Sequence, residues 1–577
     1  MYDFTAPPAG SSPLPHIPND LTLPQFLLDY THPARPLRPH GVPWLIEDKT
    51  GRPVAYDELR LRTAGLANAL SLTRNIADGN VVCLFCPNHV DYPVCVWAVH
   101  RLGGIVTPAN PGYTTPELVH QLKTAKATLL LVYADFLPTA LSAARSVGLP
   151  EDSIVVIEPS ASSPFHGKHE TVSKLVSFGN SQPQNFVETK LRPGEAKTKV
   201  AFYSFSSGTT VALATRPQAV VIPHYSFVSN ILQKAAHHGL ADPSLKSRRV
   251  NPGEIAIAVL PFFHVYGLMV NVSRFVGLSL VVIPKFNFTD FLESIVKYKI
   301  THLFLVPPQI VLLCKHPAVK KHDIRHVKLC ISGAAPVSEE LMNNLRRVLP
   351  NAVIGQACGM TETSTTIAMM DRRQTMGTIG SAGQILPGTI CRIVRPDGTF
   401  CKEGEQGELI VTGPSMALGY LDNEQATKET FVDGWVHTGD EAIIRNSEIF
   451  IVDRIKEIIK VKGFQVAPAE LEGHLLLHPA VADVCVVGIP DEYSGEIPLA
   501  FVVLREAVLQ RVSKNPKEGE HLKTALVKHV ADNKVAYKRL AGGVVFIDAI
   551  PKNPSGKLLR RVLRDKAKQL GSHRAKL

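Results

Sequence analysis

The sequence predicts an α/β chain in three parts: a long, mainly parallel α/β region, a run of short antiparallel strands, and a compact α+β unit near the carboxyl end. Three observations carry this. Between residues 54 and 140, amphipathic helix-like segments (56–72, 116–124) alternate with short apolar strands (81–85, 128–132), the rhythm of βαβ units and a parallel sheet. From Gly377 to Gly413, glycines and prolines punctuate shorter strands, as in an antiparallel barrel. After Asp453 the pattern changes once more, with helices expected at 468–474 and 520–533 and strands at 481–488 and 499–504.

Taken in order, the first 40 residues are proline-rich, with Pro7, Pro8, Pro13, Pro15 and Pro18 and no basic stretch followed by an apolar run, so no secretory signal is expected. Residues 81–86, Val-Val-Cys-Leu-Phe-Cys, read as a buried strand, and no second cysteine pair exists to complete a zinc site. Nine scattered cysteines in 577 residues are read as reduced thiols of the core. A second α/β unit occupies 255 to about 353, with strands near 255–260, 280–283, 302–306 and 327–331. Its apolar stretch at 255–270 is broken by Pro261 and His264 and is too short to span a bilayer, so no membrane span is expected. The net charge of +11 is concentrated at the end: nine Lys/Arg against Asp565 in residues 551–577. Such a basic tail without interleaved aromatics is a solvated helix rather than a nucleic-acid groove reader.

The chemistry starts at residues 201–210, Ala-Phe-Tyr-Ser-Phe-Ser-Ser-Gly-Thr-Thr. An apolar strand ends in Ser206, Ser207, Thr209 and Thr210 around Gly208, whose freedom of φ lets successive N–H groups converge on an anion. The cluster suits a polyphosphate; alone it would be an ordinary turn. What decides is an ordered series downstream. Gly355-Gln356-Ala357-Cys358-Gly359-Met360-Thr361-Glu362-Thr363 is followed by Gly434-Trp435-Val436-His437-Thr438-Gly439-Asp440. Then come Asp453-Arg454-Ile455-Lys456-Glu457 running on to Lys460-Val461-Lys462-Gly463-Phe464-Gln465, and Pro551-Lys552-Asn553-Pro554-Ser555-Gly556-Lys557.

In order and spacing these motifs resemble the adenylate-forming enzymes, the superfamily of acyl-CoA synthetases, luciferases and peptide-synthetase adenylation domains, and within it the 4-coumarate–CoA ligase-like branch. The resemblance runs from about residue 40 to 570. It implies a large N-terminal domain (41–452) of two doubly wound layers plus a β-barrel, and a small mobile α+β lid (453–570) hinged at Asp453. It also implies the reaction: a carboxylic acid attacks the α-phosphate of ATP, and the CoA thiol then displaces AMP. Positioning and charge neutralisation do most of the work in such a step. By the same resemblance Ser206, Ser207, Gly208, Thr209 and Thr210 hold the β- and γ-phosphates, Thr361 touches them, and Glu362 holds Mg²⁺. Asp440 and Arg454 hold the ribose, Gln356 and Ala334 border the adenine and acyl ends, and His264 closes the acid pocket. Lys557 is the adenylation lysine and Lys460 serves the second step, while Lys462, Gly463 and Lys285 meet CoA. Tyr266, Ala334, Thr365 and Ile367 are expected pocket walls, sized for an aryl or short-to-medium acyl group.

Two departures stand out. Ala357 and Cys358 replace a glycine and an adenine-stacking aromatic, leaving a smaller contact face. The phosphate loop lacks the family's Gly-x-Pro-Lys-Gly continuation: Thr210 is followed by Val211-Ala212-Leu213-Ala214-Thr215-Arg216-Pro217-Gln218, with Gln218 where the lysine belongs. An adenylation enzyme loading a carrier protein, a luciferase-like oxygenase, and a weakly active or non-catalytic nucleotide-binding relative are the competing readings. The carrier-protein reading is disfavoured because no carrier segment follows Lys557. The last residues, Arg574-Ala575-Lys576-Leu577, within a tail at 571–577, resemble a peroxisomal address read by an import receptor, with the cytoplasm as the alternative location.

Overall fold

The computed structural model describes residues 2–7, 12–158, 167–206, 217–240, 242, 249–265, 267, 270–462, 464–491, 493–552 and 557–574. Among them, two large sheets and one small one organise the chain. The first large sheet has a parallel centre, Ile154–Ile157, Leu129–Tyr133, Val81–Phe85, Ile105–Ala109 and Val200–Ser206. Gln218–Pro223 and Gly419–Tyr420 extend it in antiparallel fashion. Every residue of Val81–Phe85 and Leu129–Tyr133 is buried, as expected where helices cover both faces of a parallel sheet. The helices match the expected periodicity with small shifts at their ends. Tyr56–Arg74 stops where Asn75 turns left-handed at φ 51°, and Thr115–Ala125 opens on a Thr114/Glu117 capping box.

The second large sheet begins as a parallel run: Leu45–Glu47, Ser279–Val282, Ile255–Ala258, His302–Leu305, Leu329–Ser332 and Val353–Met360. Val353–Met360 then does double duty. Its first half lies parallel to Leu329–Ser332, with Gln356 opposite Ser332, and its second half pairs antiparallel with Thr365–Met369. From there Gly383–Ile385, Glu448–Arg454, Trp435–Arg445, Gln406–Thr412 and Ile390–Val394 continue as an antiparallel set around their own core of Met360, Ile367, Ile385, Leu409, Val436 and Ile449.

The small domain is a sheet of Phe464–Val466, Ile459–Val461, Gly495–Leu504 and Val481–Asp491, with Gly543–Phe546 added in parallel. It closes its own cores around Val466, Leu471, Val486 and Leu526 on one side and Cys485, Phe501 and Leu563 on the other. The helix expected at 520–533 begins at Pro516, and a further helix, Glu506–Lys514, precedes it. That helix buries no residue fully, but its Val508 and Val512, four residues apart, pack against the small-domain core. Cys314 and Cys358 are half-buried, the other cysteines are buried, and all are free thiols. No helix among the described residues is long and apolar enough to cross a membrane.

Candidate active site

The carboxyl ends of parallel strands are where α/β sheets gather ligands, and the site is built there. Val353–Met360 leaves the parallel sheet through Gly359, where a Cβ would lie 1.6 Å from the Thr365 carbonyl oxygen; only glycine permits that approach. The short 3-10 turn Thr361–Thr363 then directs Glu362 inward until it is 1 % exposed. Its Oε1 accepts a hydrogen bond from the Tyr420 hydroxyl at 2.7 Å, and its backbone carbonyl accepts from Ala417 N at 2.8 Å. Burial holds the Glu362 carboxyl above its usual range, opposed by the Tyr420 bond and by the charges of Arg454 and Lys557. Burial and then the Glu362 charge raise the Tyr420 phenol in turn. Tyr420 was not expected at the site. Its signal is the Gly419-Tyr420 pair, which docks on Val220 and Val221 across the sheet. Removing this hydroxyl in Tyr420→Phe is expected to raise KM for ATP, the nucleotide the motifs imply, about five- to tenfold and to move kcat little, since a hydrogen bond to a charged group contributes about 1.5–3 kcal/mol at most. Steady-state kinetics with ATP varied checks this.

The antiparallel register of Trp435–Arg445 and Glu448–Arg454 sets Asp440 directly opposite Arg454. Arg454 Nε meets Asp440 Oδ1 at 2.7 Å, and its Nη1 donates to the Thr438 carbonyl at 3.0 Å. Burial raises the Asp440 carboxyl, while Arg454 and Lys557 pull it down. Lys557 arrives from the small domain, half-buried. Burial, and next the Arg454 charge, lower its ammonium to about 8 against the opposing pull of Asp440, Glu457 and Glu362. After burial, the Lys557 charge also helps to push His264 down to about 4, so the imidazole is neutral at physiological pH. Glu362, Asp440, Arg454 and His264 from the large domain and Lys557 from the lid therefore share one electrostatic neighbourhood. Cys358 belongs there as well: burial, and then Asp440, push its thiol up to about 12.

Ala334, expected at the acid end, is exposed with φ 71° just beyond Leu329–Ser332. Its loop is pinned by Gln356, whose Oε1 accepts from Val337 N at 2.8 Å while Nε2 donates to the Ser381 carbonyl at 3.2 Å. Gln356 thus acts as a brace of this loop. Ser338 then caps Glu339–Val348. Thr365 has φ 122°, a conformation β-branched residues avoid. Its hydroxyl donates to Asn230 Oδ1 at 2.7 Å and receives the buried Lys234 ammonium at 3.4 Å. Ile367 is packed into the barrel core and is not brought to the Ala334 loop.

Ser206 ends its strand directly opposite Gln218. Ser207, Gly208, Thr209, Thr210 and the insert at 211–216 lie outside the described residues, as do Tyr266, Gly463 and the tail at 575–577. Gln218 is half-buried in the strand and its Oε1 has no hydrogen-bond partner among the described residues. Lys460 and Lys462 are exposed on the lid hairpin, Lys460 N donating to Glu496 Oε2 at 2.9 Å and Lys462 Nζ lying 4.3 Å from the Tyr493 ring centroid. Lys285 is exposed in the bend after Ser279–Val282. None of these three joins the Glu362–Asp440–Lys557 group. Lid and large domain also touch through Lys315 Nζ donating to the Leu476 carbonyl at 3.3 Å and Gln406 Nε2 donating to Gln465 Oε1 at 3.1 Å.

Residues 36–421 match the AMP-binding enzyme family, and residues 470–557 match the AMP-binding enzyme C-terminal domain. Among named relatives, a 4-coumarate–CoA ligase of Oryza sativa subsp. japonica is 35 % identical over 533 residues, covering 90 % of this chain and 91 % of its own. An acyl-CoA ligase of Cordyceps militaris is 33 % identical, over 83 % of this chain and 74 % of its own. Among solved structures, ATP-bound MatB of Rhodopseudomonas palustris superposes with a TM-score of 0.78 at 25 % identity, covering 95 % of this chain and 99 % of its own. An anthranilate CoA ligase holding anthranoyl-AMP shares the fold with a TM-score of 0.80 at 22 % identity, over 96 % and 99 %.

Proposed function

This chain belongs to the AMP-binding enzyme family as an AMP-forming acid–CoA ligase, and we propose how its residues divide the work and which acid it takes. The observation that carries the assignment is the Arg454–Asp440 ion pair at 2.7 Å and the buried Tyr420–Glu362 hydrogen bond at 2.7 Å, with Lys557 and His264 within electrostatic reach of this group. In the first half-reaction an acid carboxylate oxygen attacks the α-phosphorus of ATP, the bond to the β-phosphate oxygen breaks, and pyrophosphate leaves. Lys557 neutralises the charge that builds on the α-phosphate oxygens. Asp440 accepts from the ribose hydroxyls with Arg454 beside it, Thr361 and the Ser206–Thr210 loop meet the β- and γ-phosphates, and neutral His264 steers the acid. Glu362, a buried oxygen donor partnered by Tyr420, fits a hard cation and would hold Mg²⁺, which supplies further neutralisation of the phosphates. In the second half-reaction the CoA sulfur attacks the acyl carbon and AMP leaves. Lys460, Lys462, Gly463 and Lys285 would serve that step after the lid rotates, a reading supported by Lys557 lying half-buried near Glu362 and Asp440 while Lys460 is exposed.

The acid is an aryl or short-to-medium chain carboxylic acid, a reading supported by the named 4-coumarate–CoA ligase relatives. A panel of such acids assayed for pyrophosphate release, and then for CoA thioester, tests it. Thioester with CoA excludes a carrier-protein loader, and no pyrophosphate with any acid favours the non-catalytic reading. The 211–218 departure supports a slow enzyme. Replacing 211–218 with Gly-Leu-Pro-Lys is expected to raise kcat/KM for ATP at least about tenfold, the effect of about 1.4 kcal/mol of restored charge pairing. No gain means Arg216 already supplies the cation. For location, the Ala575-Lys576-Leu577 tail supports peroxisomal import. Deleting Leu577 should disperse a punctate protein into the cytosol with unchanged activity in vitro, and a full-length protein already diffuse would refute the signal.

A further inference from the structure

One helix of the large domain is buried all round yet carries a polar stripe. In His224–His237 every residue from Ser226 to His237 is buried, and Ser226, Asn230, Gln233 and His237 recur at the four- and three-residue spacing that puts side chains on one face. Buried polar side chains cost stability unless they are bonded. These are bonded at defined points, and the bonds of Ser226 and Asn230 flank the turn that carries Glu362. Ser226 Oγ donates to the Met416 carbonyl at 2.6 Å, next to Ala417, whose N–H holds the Glu362 carbonyl. Gln233 Nε2 donates to the Pro387 carbonyl and to Thr389 Oγ1, both at 3.0 Å, and His237 Nε2 meets the Met370 carbonyl at 2.9 Å.

Asn230 is the centre of this stripe. It is 1 % exposed, and its amide is spent on two consecutive residues. Oδ1 accepts from the Thr365 hydroxyl at 2.7 Å and from Thr366 N at 3.3 Å, while Nδ2 donates to the Thr366 carbonyl at 2.8 Å. Asn230 thus pairs with Thr366 as a neighbouring strand would. The residues around this grip are held in conformations the chain otherwise avoids: Ser364 at φ 53° and Thr365 at φ 122° follow Glu362-Thr363 directly. Such a turn persists only where its surroundings over-determine it. We propose that Asn230 is a positioning residue of the nucleotide site: by gripping Thr365 and Thr366 it fixes the left-handed turn that aims the Glu362 carboxylate. The inference rests on the assignment of Glu362 to the metal-bound phosphates, and Asn230 acts on them only through the backbone. The helix starts where Gln218–Pro223 ends, and Tyr420, the other holder of Glu362, pairs with Val220 of that strand. Both holders are therefore anchored on one strand–helix unit, the one that resumes the chain after the phosphate loop.

Calorimetric binding of ATP to the full chain, without acid so that nothing turns over, tests this. With Mg²⁺, Asn230→Ala should raise Kd about tenfold, the low end of what losing an outer partner of a metal ligand costs. With EDTA in place of Mg²⁺ the same change should move Kd by less than about twofold, because the carboxylate acts through the cation. Glu362→Gln should show the same dependence, and the double variant should bind within about twofold of Glu362→Gln alone, since residues acting through one group do not add. A native Kd in Asn230→Ala beside a weakened Glu362→Gln overturns the proposal and leaves Glu362 in its role. A native Kd in Glu362→Gln removes that role and the proposal with it. Losses that multiply in the double variant, or that persist in EDTA, mean that Asn230 supports the fold and not the carboxylate. Should Asn230→Ala fail to fold, Thr365→Val removes the hydroxyl that Asn230 receives; it should raise Kd with Mg²⁺ about threefold, and unchanged binding overturns the proposal.

Discussion

Lys557→Ala is expected to slow acyl-adenylate formation by about 10²–10³-fold, the usual cost of removing one group aimed at developing transition-state charge. Thioester formation from supplied acyl-adenylate should stay within a few fold, because in the proposed division of labour the lid has rotated by then and Lys460, not Lys557, serves that step. Lys460→Ala should show the reverse pattern. Equal losses in both half-reactions for Lys557→Ala would sink the assignment of this lysine to one step. A pH profile gives a second handle. Burial and the Arg454 charge lower the Lys557 ammonium to about 8 in the free enzyme, and the protonated form is the working form. Hence kcat/KM for ATP should be level below that pH and fall about tenfold per unit above it. Lys557→Arg keeps its charge through this range, so whatever activity it retains should not share the fall.

Asp440→Ala is expected to lower kcat/KM for ATP by about 10²-fold. The carboxylate offers two charge-assisted acceptor positions to a ribose, each contributing about 1.5–3 kcal/mol, and part of that is already engaged by Arg454 at 2.7 Å. The diagnostic is the sugar. Native enzyme should favour ATP strongly over its 2′,3′-dideoxy analogue, and Asp440→Ala should lose that preference. A variant that still discriminates between the two nucleotides would show that another group reads the ribose. Folding is a fair concern, since Arg454 loses its partner; Asp440→Asn keeps an acceptor there and should fall between the two.

How much of this was legible in the chain depends on the range of the interaction. The α/β rhythm of residues 54–140 emerged as drawn because apolar runs in Val81–Phe85 and Leu129–Tyr133 are buried on both faces and the capping at Thr114 and Glu117 is local. Asp440 and Arg454 were each visible in a motif, but their direct contact depends on hairpin register. The Tyr420–Glu362 bond could not be read at all: it requires Gly419–Tyr420 to dock on a strand about 200 residues earlier. Ile367 was expected in the acid pocket and lies in the barrel core. All five residues of Thr365–Met369 are buried, so alternation offers no face to choose between. Gln356 was expected to border the nucleotide; that its amide also holds the Ala334 loop depends on partners 19 and 25 residues away in sequence.

The double membership of Val353–Met360 has a consequence for engineering. One end of this strand fixes, through Gln356, the loop that carries Ala334; the other end carries Cys358 beside Asp440 and leads through Gly359 into Glu362. In the proposed assignment, acid specificity and nucleotide affinity are therefore written on a single rod. A substitution chosen to widen the proposed acyl pocket at one end will tug on Cys358 and on the carboxylate of Glu362 at the other. Selection for a new acid in this scaffold should yield variants whose ATP dependence drifts with their substrate range, and compensating changes should collect along this strand rather than around the new acyl group.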